Sequence, residues 1–367
     1  MEERLLSLVV NPDILKIKPY EPGKPIEEVK RELGLREVIK LASNENPLGP
    51  SPKAVQAIKD YALKVNFYPD GGGYYLKKAL SEKLFVKDEN IILGNGSDEI
   101  ISMVSRLFLT QGEEAIIPAP SFLMFEIDVK ISGGKLVSIP LKNFRIDLEK
   151  IREAVTPRTK LIFIANPNNP TGTIVKKDEI KEFLENIPEN ILTIFDEAYY
   201  EYVEDKKYPQ TIDFVKEGKN IIILRTFSKI YGLAGLRIGY GIAKKEIIDI
   251  LNKIRSPFNV NSLAQVAALA SLNDEDQVKR SKELVRKGKE FLYFHLRKMG
   301  VPFIPTEANF VLAEVGENAK EIENKLLHKG IIVRGMTAYN LSQYIRVSIG
   351  TAKQNGEFVR ELRAFLS

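Results

Sequence analysis

The sequence predicts an α/β protein: a mostly parallel sheet flanked by helices in a large domain, followed by a smaller α+β domain. Three observations support this. Short, almost continuously apolar runs recur at 90–93, 114–117, 161–165, 191–195 and 221–224, separated by segments such as 177–186 with helical periodicity, the pattern of strands buried on both faces. Each run ends in a polar cluster, which is where open α/β sheets bind ligands. Beyond Pro257 the texture changes to long helical patterns interleaved with short strands.

Taken in order, residues 1–40 read as an arm. Pro12, Pro19, Pro22 and Pro25 favour extended, docked chain, and 26–36 reads as a short amphipathic helix. Leu41-Ala-Ser-Asn-Glu-Asn-Pro47 has turn chemistry. Ser51-Pro52 suits the N-cap and first position of a helix reaching Leu63. Strand 90–93 runs through Gly94-Asn-Gly-Ser-Asp-Glu99 into the apolar helix 100–109. Strand 114–117 ends at Pro118-Ala-Pro-Ser-Phe122, and strand 161–165 at Asn166-Pro-Asn-Asn-Pro-Thr-Gly172. Strand 191–195 ends at Asp196-Glu-Ala-Tyr199, and strand 221–224 opens into Thr226, Ser228, Lys229 and, past Gly232 and Gly235, Arg237. The C-terminal part shows a long helix from Asn273 to about Met299, a strand at 309–313, a helix at 319–328 and strands at 331–333 and 344–349. The expected division is therefore an arm at 1–40, a large domain at 41–262 and a small domain at 263–367.

Composition narrows the function. The 367 residues can bury a large core, and 44% hydrophobic with 28% charged residues is a globular balance. A net charge of +5 without a dense basic run interleaved with aromatics argues against a nucleic-acid partner. The absence of cysteine excludes disulfides and thiolate chemistry, and His295 and His328 cannot make a three-histidine zinc site, so no metal is expected. No apolar run is long enough to span a bilayer, and Met1-Glu-Glu-Arg-Leu-Leu6 lacks a signal-peptide pattern, so neither membrane nor export is expected and a cytoplasmic setting fits. With so little histidine, acid–base chemistry points to lysine.

The strand-end residues suggest what such chemistry could act on. Gly96, Ser97 and Asp98 at a helix start offer backbone N–H groups to an anion, to which Ser228 and Arg237 could add a hydroxyl and a bidentate cation. Asp196, at the buried end of a strand, needs a partner: a helix N-cap, a nearby lysine, or the protonated nitrogen of an aromatic heterocycle. Asn169 and Tyr199 could hydrogen-bond a ring oxygen, and Phe122 could stack on a ring face.

In order and spacing, Asn169-Pro-Thr-Gly172, Asp196-Glu-Ala-Tyr199, Ser228-Lys229 and Arg237 resemble the fold-type I pyridoxal-phosphate aminotransferases, class I/II. Tyr20-Glu-Pro-Gly-Lys24, Ser43-Asn-Glu-Asn-Pro47, Tyr68-Pro-Asp70, Gly94-Asn-Gly-Ser-Asp-Glu99, Val333-Arg334 and Ile345-Arg346 look like the histidinol-phosphate branch of that group. The resemblance implies pyridoxal 5′-phosphate held covalently by Lys229, with Asp196 keeping the pyridine nitrogen protonated. Ser97, Asp98, Thr226, Ser228 and Arg237 would hold the phosphate, Asn169 and Tyr199 would bond the ring oxygen, and Phe122 would stack. Tyr68 would reach the cofactor of a partner subunit, implying a homodimer with shared sites. Lys229, Asp196 and Tyr199 are the catalytic candidates, and Tyr20, Asn44, Arg334 and Arg346 the substrate-binding ones. The implied reaction is transamination of histidinol phosphate with 2-oxoglutarate in histidine biosynthesis. An aromatic amino-acid aminotransferase, a phosphothreonine decarboxylase on the same fold and a non-catalytic cofactor-binding regulator are the alternatives. Phe122 stands where the group often has Tyr, and Gly71-Gly-Gly73 follows Asp70 as a flexible point.

Overall fold

The computed structural model describes residues 12–15, 17, 19 and 23–366. Tyr20 lies outside them. The helix Ile26–Leu33 stops short of the expected Arg36 because Gly34 adopts the left-handed conformation, φ 64°, and turns its N–H back to the carbonyl of Lys30. The chain then forms β1 (Ile39–Lys40). A helix at Pro52–Tyr61 starts as the sequence suggested: Ser51 Oγ accepts from Ala54 N at 3.2 Å and proline occupies the first turn.

The main sheet has seven strands: β2 (Ile91–Gly94), β3 (Glu114–Ala119), β4 (Lys135–Pro140), β5 (Thr159–Ala165), β6 (Leu192–Asp196), β7 (Ile221–Thr226) and β8 (Gly239–Ala243), in the order β2-β8-β7-β6-β5-β3-β4. Pairings from β4 through β7 are parallel, while β8 runs antiparallel to both β7 and β2. Two reversals return β2 to the direction of β7. All five strands foreseen in the sequence therefore end at one edge.

Alternation along the strands builds the core. Ile92, Ala115, Phe163, Ile194 and Ile222 pack with Ile100, Val104, Phe125 and Ile248 from helices Ser97–Phe108, Leu123–Ile131 and Lys245–Ile254. Their neighbours Ile91, Ile116, Ile162, Ile164, Phe195 and Ile223 face the opposite layer. Each fully buried side chain of this kind contributes roughly 1.5–3 kcal/mol.

Two strands lay beyond the apolar-run reading. β4 is the sheet edge and its residues are partly exposed, so it carries Lys135 and Ser138 instead of an apolar run. β8 includes Gly239 and Gly241 because the space is taken: a Cβ at Gly239 would meet Ser97 N at 2.5 Å, and one at Gly241 would meet Ile92 Cγ2 at 3.0 Å.

Beyond β8, helix Glu275–Lys298 is capped by Asp274, whose Oδ1 accepts from Gln277 N at 3.2 Å, and it buries Val285, Leu292 and Leu296 along one face. Four strands, β9 (Phe303–Ile304), β10 (Phe310–Glu314), β12 (Arg334–Gly335) and β13 (Tyr344–Ser348), form an antiparallel sheet in the order β12-β13-β10-β9. The remaining strand, β11 (Ile331–Ile332), pairs in parallel with β1. Residues 39–42 are thereby tied to the C-terminal strands, with Leu41 N bonded to Ile332 O at 2.7 Å and Ser348 N to Leu41 O at 2.8 Å. Among the described residues no helix is long and apolar enough to cross a membrane.

Candidate active site

The carboxyl ends of β2, β3, β5, β6 and β7 open into one pocket. It gathers Ser97, Asp98, Phe122, Asn169, Asp196, Tyr199, Thr226, Ser228, Lys229 and Arg237 from the main sheet, Asn44 from the 41–47 turn and Arg346 from β13.

One end is suited to an anion. The helix Ser97–Phe108 begins at Gly96, φ 80°, with no side chain capping its first turn, so backbone N–H groups and the positive helix end point at the opening. A side chain at Gly96 would be strained by φ 80°, and its Cβ would lie 2.5 Å from Arg237 Nη2. Arg237 is itself in the left-handed region, φ 56°, which carries its guanidinium over the turn: Nη1 donates to Ser228 Oγ at 3.4 Å and Nη2 lies 3.3 Å from Asp98 Oδ2. Thr226 Oγ1 accepts from Ser228 N at 3.0 Å, fixing the hydroxyl turn.

The middle of the pocket holds Asp196, 6% exposed. One carboxylate oxygen accepts the Ala198 N–H at 3.1 Å, and among the described residues the group makes no ion pair. Burial, helped by the nearby charge of Asp98, pushes its pKa up to about 7. A buried carboxylate with no ion pair among the described residues has the chemistry to hold a protonated ring nitrogen. Beside it, Tyr199 packs edge-on against Phe310 and its hydroxyl accepts from Asn44 Nδ2 at 2.8 Å. Burial holds the phenol's pKa well above its usual value, so it stays a neutral donor. Phe122 opens the helix Leu123–Ile131 at the pocket wall, edge-on to Phe125.

Lys229 Nζ donates to Ser43 O at 3.1 Å and lies 5.8 Å from the Tyr199 ring centre. Burial, then the positive charge of Arg346, bring its pKa down to about 8. Arg346 donates to Asn169 Oδ1 and, at 2.9 Å, to Ala42 O, while its buried Nε makes no hydrogen bond among the described residues.

Two further expected site residues lie outside this pocket, and a third lies outside the described residues. Arg334 sits on β12 directly opposite Arg346 but one strand farther out, and lines a separate depression with Gly23, Lys24 and Glu323. Tyr68 is 81% exposed and stacks on Phe258 at 4.7 Å, outside the pocket. Tyr20, the third, is among the residues not described. Asn44 lines the pocket but is 1% exposed, its amide spent on Tyr199 and Ser348, so it braces the wall. Sequence reasoning missed the Ser43 carbonyl, which no side chain announces. It also missed the buried Glu197–Arg225 pair at 2.8 Å next to Asp196, for which the Asp196-Glu197 doublet was the one available signal.

The model of the family aminotransferase class I and II matches residues 36–362. A histidinol-phosphate aminotransferase of Moorella thermoacetica is 51% identical over 355 residues, covering 96% of this chain and 92% of its own. That of Caldicellulosiruptor saccharolyticus is 50% identical, covering 96% and 99%. Among solved structures, histidinol-phosphate aminotransferase from Sinorhizobium meliloti in complex with pyridoxal 5′-phosphate superposes with a TM-score of 0.90 at 28% identity, covering 98% of this chain and 97% of that one.

Proposed function

This chain belongs to the class I and II aminotransferases, and from that premise we propose that it moves the amino group of L-histidinol phosphate to 2-oxoglutarate. The products are imidazole-acetol phosphate and L-glutamate, a step of histidine biosynthesis in the cytoplasm, and the cofactor is pyridoxal 5′-phosphate. The observation that carries the reading is the buried, unpaired Asp196 carboxylate in one pocket with the desolvated Lys229 amine and the helix-start cradle. The relatives' substrate supports the choice of amine.

Pyridoxal phosphate, when bound, supplies an electron-withdrawing ring that stabilises negative charge on the substrate's amine-bearing carbon. Arg237, Ser228, Thr226 and the N–H groups of Ser97 and Asp98 would hold its phosphate. Asp196 would pair with the ring nitrogen, Asn169 and Tyr199 would bond the ring oxygen, and Phe122 would stack on the ring. Lys229 would hold the aldehyde, and its free amine would be the base. With a pKa near 8 its neutral form would be available to take the proton from that carbon and deliver it to the carbon of the former aldehyde. Ser43 O, already its acceptor, keeps Nζ in place.

Arg346 presents a buried guanidinium with an unused Nε, able to bind phosphate or carboxylate and so serve both half-reactions. By the resemblance, Arg334, which lines the separate depression, and Tyr20 would add substrate contacts. Exposed Tyr68, with Leu63, Phe67 and Tyr75 also exposed near it in sequence, supports a homodimer in which Tyr68 serves the partner's site. The chain divides into an arm at 1–40, a large domain at 41–262 and a small domain at 263–367.

The test mixes the cofactor-loaded protein, without keto acid, with L-histidinol phosphate, L-phenylalanine or O-phospho-L-threonine and follows visible absorbance. Rapid conversion to the aminated cofactor by histidinol phosphate is expected. An equal or faster response to phenylalanine refutes the substrate assignment, and silence with every amine refutes catalysis.

A further inference from the structure

Adjacent residues of the active-site turns face a second cavity. Tyr199 lines the Lys229 pocket while Tyr200 lines the other, and Tyr231 follows Lys229 by two residues. This cavity, about 540 Å³, lies between those turns and the first turns of helix Glu275–Lys298, within the size range of small-molecule sites.

Its walls are aromatic: Tyr200, Tyr208, Tyr231 and Tyr240, with Leu272 and Val278 beside them. Arg225 forms part of the lining but is already engaged, bonded to Glu197 and lying 3.7 Å over the Tyr200 ring. Tyr231 and the half-buried Glu201 add polar groups to the lining. Tyr231 is 6% exposed, and its hydroxyl makes no hydrogen bond among the described residues. Glu201 makes no ion pair among the described residues, and burial pushes its carboxyl up to about 7. At the mouth stand exposed Lys206 and Lys282, with no ion pair among the described residues, while Asp205 is matched by Lys176 at 3.9 Å.

An unpaired acid between tyrosine faces recognises a planar group bearing N–H or positive charge. Ammonium groups at the mouth recognise an anion. A free α-amino acid with a planar, N–H-bearing side chain carries both. We propose that this cavity binds a free α-amino acid with a planar, N–H-bearing side chain, the ring against Glu201 and Tyr231 and the carboxylate at Lys282.

The ligand would touch elements that also frame the active site. The helix carrying Lys282 is bonded to the 46–49 turn through Asn46 to Ser281 at 2.8 Å and Gln277 to Gly49 at 3.2 Å. Occupancy would therefore hold that helix against the turns bearing Tyr199 and Lys229.

The experiment is calorimetric titration of the protein as purified with L-histidine as the probe, repeated with histamine, which lacks the carboxylate, and with L-phenylalanine, which lacks the ring N–H. The expected result is saturable binding of L-histidine, weakened roughly tenfold by Glu201→Gln and by Lys282→Ala, and weaker for both analogues. Binding that is unchanged in both variants places the probe in the Lys229 pocket or elsewhere and overturns the proposal, as does the absence of binding at millimolar probe. Lys282→Ala, on an exposed position, keeps the test decisive should Glu201→Gln fold poorly.

Discussion

Replacing Asp196 by Asn separates what the residue costs the fold from what it does for the cofactor. In the cofactor-free protein Asp196 is a buried carboxylate without a cation, and its pKa rises from 3.8 to about 7. A folded-state pKa above the unfolded one means that the unfolded chain holds fewer protons between those values. Stability therefore falls as pH climbs from about 4 to about 7, and the penalty is fully present above that. The shift converts to a ceiling of about 4 kcal/mol. At pH 8 the cofactor-free Asp196→Asn protein should thus be more stable than the parent, by up to that amount, and the difference should vanish near pH 4. Denaturant unfolding of both proteins across this pH range measures it. With cofactor and substrate the order should reverse: the variant loses most of its turnover, because an amide cannot neutralise a protonated ring nitrogen. A variant equally stable at every pH, or one that keeps full activity, would refute the reasoning.

Lys229→Ala should abolish turnover, by about 10⁴-fold or more, while cofactor still binds through the cradle; stopped-flow single turnovers and equilibrium dialysis check the two halves. In the cofactor-free protein, acylation of Lys229 should rise with a midpoint near pH 8, because the neutral amine is the nucleophile and burial favours it; peptide mapping after pulse labelling would show instead a midpoint near 10.5 if the site does not desolvate the amine. Asn44→Ala removes the 2.8 Å bond to Tyr199 and should lower kcat more than it raises KM, with about 1 kcal/mol lost from stability; steady-state kinetics and urea unfolding measure both.

The pocket was legible because buried parallel strands are apolar until they end. Asn169, Asp196 and Lys229 each follow such a run, and five ends proved to share one edge once β8 had reversed the chain twice. What periodicity could not show is where crowding or exposure replaces pattern. β8 is part glycine because Ser97 and Ile92 crowd it, and edge strand β4 is half-exposed. Arg334 and Arg346 are alike in sequence, each after an apolar residue, yet β12 is the outer strand and β13 the inner, so only Arg346 reaches the pocket. The resemblance makes Asn44 a substrate-binding candidate, whereas the residues of 41–47 read only as a turn. The left-handed backbone at φ 55° turns the Asn44 side chain into the wall toward Tyr199.

The central claim is that one lysine among 54 basic residues holds a phosphorylated aldehyde. Reduction of the cofactor-loaded protein with borohydride, followed by peptide mass mapping, tests it directly. One pyridoxyl-phosphate group, on Lys229 alone, is the expected product. An adduct on another lysine, or no adduct on a protein that still transaminates, would contradict it.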